Sequence, residues 1–371
     1  MRRSTYADRV GKAPTECIMT IDFWAVRLHR ITSTAHPRPR RRRFNEAVNS
    51  GWKTLRSSVN AGLSALSVCV GASSQSLADG DDFRVTLLGT GSPQPTVNRF
   101  GPGVLVQAGG QTLLIDCGRG ITMRMVQAGV KLGAVNKLFI THLHSDHVVG
   151  IPDLWLTGWL EIPSAQRKGA FQVFGPAGTR NMMELLEPAF DWDIRTRIAD
   201  QKLAKENVEI SITEIKEGTV YDANGVKVTA FEVDHGDLVR PAFGYRIDYG
   251  GRSAVVSGDT RFNENLIEHA IGTDLLIHQV AAVRPELLAS PVFQVILAHH
   301  TKPEEAGVVF ARTKPRLAVF YHFSLLGTPQ VPPMTEQDVV DLTRKTYGGP
   351  LLVGEDLMTF RIGHESVHVS R

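Results

Sequence analysis

The run Thr141-His142-Leu143-His144-Ser145-Asp146-His147 constrains this chain more than any other feature. It places four metal-ligating side chains within six residues, directly after the apolar stretch Lys137 to Thr141 (KLFIT). Residues two apart on an extended segment point to the same side, so His142 and His144 reach one ion. The chain then turns, and Asp146 and His147 face a second position. Imidazole nitrogen and carboxylate oxygen are both good zinc ligands. The bland alternative is a chance cluster of polar loop residues.

One such loop cannot complete two metal positions, so further ligands have to arrive from elsewhere. Three candidates stand just past apolar strands. His235 follows VTAFEVD, Asp259 lies in Ser257-Gly258-Asp259-Thr260 after SAVVS, and His322 follows LAVFY. Each alone reads as an ordinary surface or core residue. Their common position at strand ends, in the order His, Asp, His, reads as a ligand set. The expected division is His142, His144 and His235 on one ion, with Asp146, His147 and His322 on the other. Asp259 bridges the two.

From residue 83 onward, short apolar strands alternate with helical stretches, and no repeat at solenoid spacing is present. Strands are expected at 83–88, 104–107, 111–115, 137–141, 171–174, 208–215, 226–233, 243–248, 253–257, 275–279, 317–321 and 358–362. Helices are expected at 121–128, 151–160, 179–186 and 303–312, while 187–206 has no clear assignment. Sheets with helices on their outer faces predict an α/β chain built as a four-layer αββα sandwich. One catalytic domain is expected over 79–371.

Residues 1–78 differ in character. They hold 13 Lys and Arg against 4 Asp and Glu, which leaves 28 basic against 34 acidic residues in the rest. The working domain is therefore acidic, the opposite of what a protein gripping a phosphate backbone usually shows. Within 1–78, the basic run Arg38 to Arg43 precedes a mildly apolar stretch from Val59 to Ala72. Ser76-Leu77-Ala78 then offers the small residues that a signal peptidase reads. Arg41-Arg42-Arg43-Phe44 resembles a twin-arginine signal. The segment reads as an export leader, giving a periplasmic or secreted protein, or else as a basic tail. The apolar stretch is short and rich in Ser and Gly for a membrane span. Cys17 and Cys69 sit in this segment, so the domain keeps only Cys117, expected to be a small buried residue.

These motifs together resemble the metallo-β-lactamase superfamily, and within it the ribonuclease Z-like and arylsulfatase-like branch. The resemblance spans roughly 84–325. It is carried by LLGTGSP at 87–93, LLIDCGRG at 113–120, THLHSDHVVG at 141–150, GPAGT at 175–179, SGDT at 257–260, His300-Thr301 and His322-Phe323-Ser324. It implies the metallo-β-lactamase fold, two Zn2+ per chain and a hydroxide bridging them as nucleophile. Asp146 would orient or deprotonate that nucleophile, and His300 would protonate the leaving group. A homodimer is consistent with the same resemblance.

Two departures shape the functional expectation. Transfer-RNA-processing members carry a projecting arm, whereas only residues 248–256 separate Ile247 from Ser257 here. Cleavage of tRNA is therefore not expected. Those members also pair a Glu with the histidine matching His300; the corresponding residue here is Gln279, expected to orient His300 by hydrogen bonding. The reading is a binuclear zinc hydrolase of small anionic esters, arylsulfatase-like or phosphodiesterase-like. A ribonuclease Z-like nuclease and a lactonase-type hydrolase are the alternatives. Trp155 and Trp159 form either an apolar wall for an aryl group or ordinary core. Arg261 is a candidate for meeting an anionic oxygen.

Overall fold

The computed structural model describes residues 82–371, all within the unit Ala72–Arg371. The expected leader and two of the three cysteines lie outside the described residues. No helix among the described residues is long and apolar enough to cross a membrane.

In chain order the strands are β1 (Arg84–Gly89), β2 (Gly103–Ala108), β3 (Gln111–Ile115), β4 (Lys137–Phe139), β5 (Phe171–Gly175), β6 (Ile210–Glu214), β7 (Gly218–Ala223), β8 (Val226–Val233), β9 (Ala242–Tyr249), β10 (Arg252–Val256), β11 (Leu275–Val283), β12 (Leu317–Leu326), β13 (Leu351–Val353), β14 (Thr359–Ile362) and β15 (Val367–Ser370). The helices are α1 (Ile121–Gln127), α2 (Ser145–Val148), α3 (Ile151–Trp159), α4 (Thr179–Ala189), α5 (Asp191–Gln201), α6 (Glu264–Ala270), α7 (Pro291–Leu297), α8 (Pro303–Thr313) and α9 (Glu336–Thr343).

The strands form two mixed sheets, ordered β15-β14-β1-β2-β3-β4-β5-β6 and β13-β12-β11-β10-β9-β8-β7. Many central strands are apolar on both faces, as strands covered on both sides must be. In β3, Leu113 and Ile115 join the core between the sheets, while Leu114 faces the outer core under α1 and α3. In β11, Leu275 and Ile277 face inward and Leu276 faces the outer core shared with α6, α8 and α9. Three apolar layers separate four structural layers, so the αββα sandwich holds.

The differences from the sequence pattern have local causes. Segment 187–206, of mixed polarity, contains the end of α4 and all of α5, a helix with no fully buried residue. A helix that only half-covers a sheet shows little apolar periodicity. β12 runs past Tyr321 to Leu326 because a bulge at His322 resets its register against β11. Tyr321 pairs with Gln279, and Phe323 pairs with Val280. The bulge reverses the alternation, so Tyr321 lies between the sheets while Phe323 lies in the outer core.

Trp155 and Trp159 belong to the outer core on α3 and form no wall of the site. Both are buried, and their indole N–H groups donate to the carbonyls of Val208 (2.7 Å) and Ala204 (3.0 Å). Cys117 is free and buried, and burial pushes its thiol well above the ordinary range. That is inert packing, as expected.

Candidate metal centre

The four segments carrying candidate ligands meet at one rim of the sandwich. β4, β8 and β10 each end just before a donor loop, and β12 contributes at its bulge. His322 adopts a left-handed backbone, φ 46°, and so does Asp116 after β3, φ 57°. Such conformations are costly for residues with side chains and collect at functional sites. Gly258 precedes Asp259 at φ 60°, and a Cβ there would lie 2.4 Å from the Phe243 carbonyl oxygen. Only glycine brings the Asp259 loop this close to β9.

All seven expected ligand residues converge. His142, His144 and His235 form one group whose donor atoms lie within 4.8 Å of one another; Asp146, His147 and His322 form another. In the first, His144 Nδ1 lies 2.9 Å from His142 Nε2 and 3.2 Å from His235 Nε2. In the second, His322 Nε2 lies 3.2 Å from His147 Nε2 and 3.3 Å from Asp146 Oδ2. Asp259 Oδ2 stands between the groups, 3.2 Å from His322 Nε2, 3.5 Å from His147 Nε2 and 3.9 Å from His235 Nε2.

The backs of the rings are held in place. His147 Nδ1 meets Asp116 Oδ2 at 2.8 Å, and His142 Nδ1 meets Thr141 Oγ1 at 3.0 Å. Thr141 in turn donates its N–H and hydroxyl to Asp116, at 2.8 and 2.9 Å. His235 Nδ1 donates to the His299 carbonyl at 3.0 Å. This is how second partners fix tautomer and orientation for metal ligation. Asp116 is the residue that sequence reasoning missed. It stood in the quoted motif LLIDCGRG without a role, and a lone acid ending an apolar strand was the available signal.

Electrostatics separate the two groups. Burial holds the imidazoles of His142 and His144 below their usual range and brings His235 to about 4. These rings are neutral at pH 7, with lone pairs ready to ligate. His147 is different: burial pulls it down, but Asp116 and Asp259 outweigh burial and raise it well above the ordinary value. Burial pushes Asp259 up, yet His322 and His147 outweigh it and hold the carboxyl well below its usual range. Asp259 Oδ1 and His322 Nδ1 are buried without any hydrogen-bond partner. Imidazole nitrogens crowded around a carboxylate, with an orphan oxygen among them, fit cations better than they fit one another.

The cluster opens into a cavity of about 330 Å3. Ser92, Pro93 and Gln94 form one side and Ile296, Leu325 and Leu326 another, joined by His144, Asp146, His235, Asp259, His299, His300 and Ser324. His300 Nε2 lies 3.5 Å from Asp259 Oδ2, and its Nδ1 donates to the Ile296 carbonyl at 2.8 Å. Burial lowers the His300 pKa, but Asp259 more than compensates and raises it. The expected link from Gln279 to His300 is replaced by another. The Gln279 amide N–H donates to the Thr260 carbonyl at 2.5 Å, bracing the loop that carries Asp259. Arg261 does not face an open anion position either, because Asp234 Oδ2 holds its guanidinium at 2.7 Å.

A two-sheet sandwich with this His/Asp cluster at its rim defines a hydrolase of the metallo-β-lactamase fold. Residues 83–290 match the family model described as anti-Pycsar protein Apyc1. The ribonuclease Z of Mycobacterium marinum is 36% identical over 74% of this chain and 97% of its own length. Among solved structures, the metallo-β-lactamase fold protein YhfI from Bacillus subtilis aligns with a TM-score of 0.59 at 17% identity, covering 76% of this chain and all of YhfI. The short form of human tRNase Z aligns at 0.53 with 23% identity, over 74% of this chain and 98% of that one. Zn(2+)-bound PqqB from Methylobacterium extorquens aligns at 0.52 with 16% identity, over 74% and 99%. The chain belongs to the Apyc1 family and is a ribonuclease Z-like, metal-dependent hydrolase of ester bonds. The relatives' name gives no ground for setting RNA aside.

Proposed function

We propose that this enzyme hydrolyses small monoanionic esters, namely phosphodiesters or aryl sulfates, with two zinc ions held by the seven-residue cluster. The carrying observation is the cavity wall, which contains histidines, carboxylates, small polar residues and apolar side chains but no Lys or Arg. A phosphate monoester brings a second negative charge, and beyond the His300 imidazole no cationic side chain here neutralises it. A diester or sulfate monoester brings one. The volume sits at the low end of the range for small-molecule sites.

His142, His144 and His235 would hold one ion, Asp146, His147 and His322 the other, with Asp259 facing both. When bound, zinc supplies Lewis-acid polarisation of the ester oxygens and acidifies water. Asp146 orients the attacking water through its carboxylate, kept ionised because His322 outweighs the effect of burial. His300 carries a proton on Nε2 at the mouth of the cluster and donates it to the leaving oxygen. The Ile296 carbonyl fixes its ring from behind, and Asp259 raises its pKa and so favours the protonated form. Ile296, Leu325 and Leu326 exclude water on the side where an organic group would lie.

The test is a substrate panel on zinc-loaded enzyme: bis(4-nitrophenyl) phosphate, 4-nitrophenyl sulfate, 4-nitrophenyl phosphate and a chromogenic lactone. The first two are expected to be cleaved in preference to the monoester. Preference for the monoester or the lactone would overturn the reading.

A second reading, cleavage of RNA, is favoured by the name of the mycobacterial relative. Against it stands the β9–β10 hairpin, whose strands meet across Gly250-Gly251 with no projecting segment. Site-specific cleavage of a precursor tRNA at rates above those on the small diester would decide for RNA.

A further inference from the structure

The loop between β1 and β2 supplies one wall of the cavity through Ser92, Pro93 and Gln94. Residues 90–100 contain no helix or strand, and 93–98 are exposed. A segment with so few buried contacts opens at low cost unless something closes it.

One carboxylate closes it from both ends. Asp356 Oδ1 accepts the N–H of Thr90 at 2.9 Å and its hydroxyl at 2.7 Å. Asp356 Oδ2 accepts the N–H of Phe100 at 2.8 Å. Asp356 comes from the turn after β13, more than 250 residues along the chain. Its side chain is only 4% exposed. Arg124 neutralises it, with Nη2 2.9 Å from Oδ2, and lies 4.0 Å over the Phe100 ring. The two ends also meet directly, Gly91 N–H donating to the Phe100 carbonyl at 2.7 Å. Arg99 reinforces the base through the Thr90 hydroxyl at 2.5 Å and the Gly354 carbonyl at 2.7 Å. Its guanidinium also lies 4.5 Å over Phe323, next to His322.

Asp356 does not line the cavity and is not among the clustered donors. Whatever it does for the reaction, it does through the loop. We propose that Asp356 is a positioning residue for this hydrolase, clamping loop 91–99 so that Ser92 and Gln94 stand at fixed places against the bound ester. This rests on the reading that the cavity beside the donor cluster takes the substrate. The clamp acts chiefly on binding: Asp146 and His300 stand on other segments, and its base touches the donor strand beside His322, where the Thr90 carbonyl accepts the Phe323 N–H at 3.1 Å. Hydrogen bonds to a charged group are the strong class, so losing several at once frees the loop.

The experiment compares Asp356→Asn and Asp356→Ala with wild type, using bis(4-nitrophenyl) phosphate kinetics, zinc content and hydrogen exchange of peptides covering 88–102, whose protected amides include Thr90, Gly91 and Phe100. Val339→Ala, which hollows the outer core at α9, serves as a control for simple loss of stability. Asp356→Ala is expected to raise KM about tenfold with kcat within about twofold, and the isosteric Asp356→Asn to raise it less. Zinc content stays at the wild-type level, and exchange at Gly91 and Phe100 quickens in both variants. Val339→Ala lowers Tm and leaves KM alone. An unchanged KM, or a KM shift that Val339→Ala reproduces, overturns the proposal, as does loss of zinc from Asp356→Asn. Hydrogen exchange needs no substrate, so unchanged exchange overturns the clamp even if wild type cleaves nothing in the panel. Failure of wild type on the panel, with quickened exchange in the variants, sinks the substrate reading and leaves the clamp standing.

Discussion

The two halves of the donor cluster are built on different principles. His142, His144 and His235 form a half without a carboxylate of its own, open to the cavity through the exposed His144. Asp146, His147 and His322 form a buried half with one carboxylate in front and a second, Asp116, behind His147. The open half uses burial to keep its rings neutral, so it presents lone pairs and no net charge. The buried half uses carboxylates to neutralise the ion it takes. A cation in the buried half is compensated within the protein, while one in the open half keeps more of its charge for the substrate. On the function proposed above, the buried half is suited to retaining metal and the open half to meeting the anionic ester.

Among the described residues, Asp259 is the one carboxylate within 4 Å of imidazole nitrogens in both halves, so Asp259→Ala is the severest test. It is expected to lose both ions and bring hydrolysis to background, read by metal analysis and turnover together. Retention of one zinc ion would show that the halves are independent. His142→Ala, confined to the open half, is expected to abolish activity yet keep close to one ion per chain.

The support behind the buried half gives the next effect. Asp116→Asn keeps the shape but weakens the hold on His147 and Thr141. Metal affinity there is expected to fall about 10–100-fold, the usual cost of losing such a partner. Competition with a zinc chelator measures it, and an unchanged affinity would reduce Asp116 to a packing residue.

His300 sharpens the comparison from the cavity side. His300→Ala is expected to keep both ions and lose about 10²-fold in kcat on alkyl diesters, with less than about tenfold loss on nitrophenyl esters. Nitrophenolate departs without a proton, whereas an alkoxide does not. Equal losses on both would assign His300 a structural role in holding Asp259.

Smaller effects test the bracing around the centre. Gln279→Glu sets a carboxylate against the Thr260 carbonyl in a fully buried place, so it is expected to cost about 2–3 kcal/mol of stability. An upward shift of the pH optimum without that loss would instead restore Gln279 as the partner of His300. Trp155→Phe leaves the Val208 carbonyl unpaired and is expected to cost about 1 kcal/mol with kcat/KM unchanged. A fall in kcat/KM on aryl substrates would return Trp155 to the binding site.

Much of this could be read in advance, and for a definite reason. The layered sheets are written into β3, β11 and β12 as short, nearly continuous apolar runs, which only strands covered on both faces tolerate, and into β8 as an alternating run. The ligand set was legible because each member follows a strand pattern, continuous or alternating, and strand ends are where sheets of this kind gather their loops. The helix α5 escaped because it is half-exposed and carries no clean apolar stripe. The continuation of β12 escaped because the bulge at His322 inverts the pattern midway through the strand.

What the sequence determined by itself was therefore composition and local order: which residues bear metal-ligating atoms, and which strand each one ends. Contacts between residues far apart in the chain belong to the tertiary structure, because hydrogen-bond partners are chosen by distance in space. It decided that Asp116 backs His147, that Gln279 braces Thr260 in place of His300, and that the tryptophans of α3 serve the core. It also decided that Asp356 closes a loop that begins at Thr90. A side chain's chemistry can be read from its type, but its task depends on what the fold sets within about 3 Å of it.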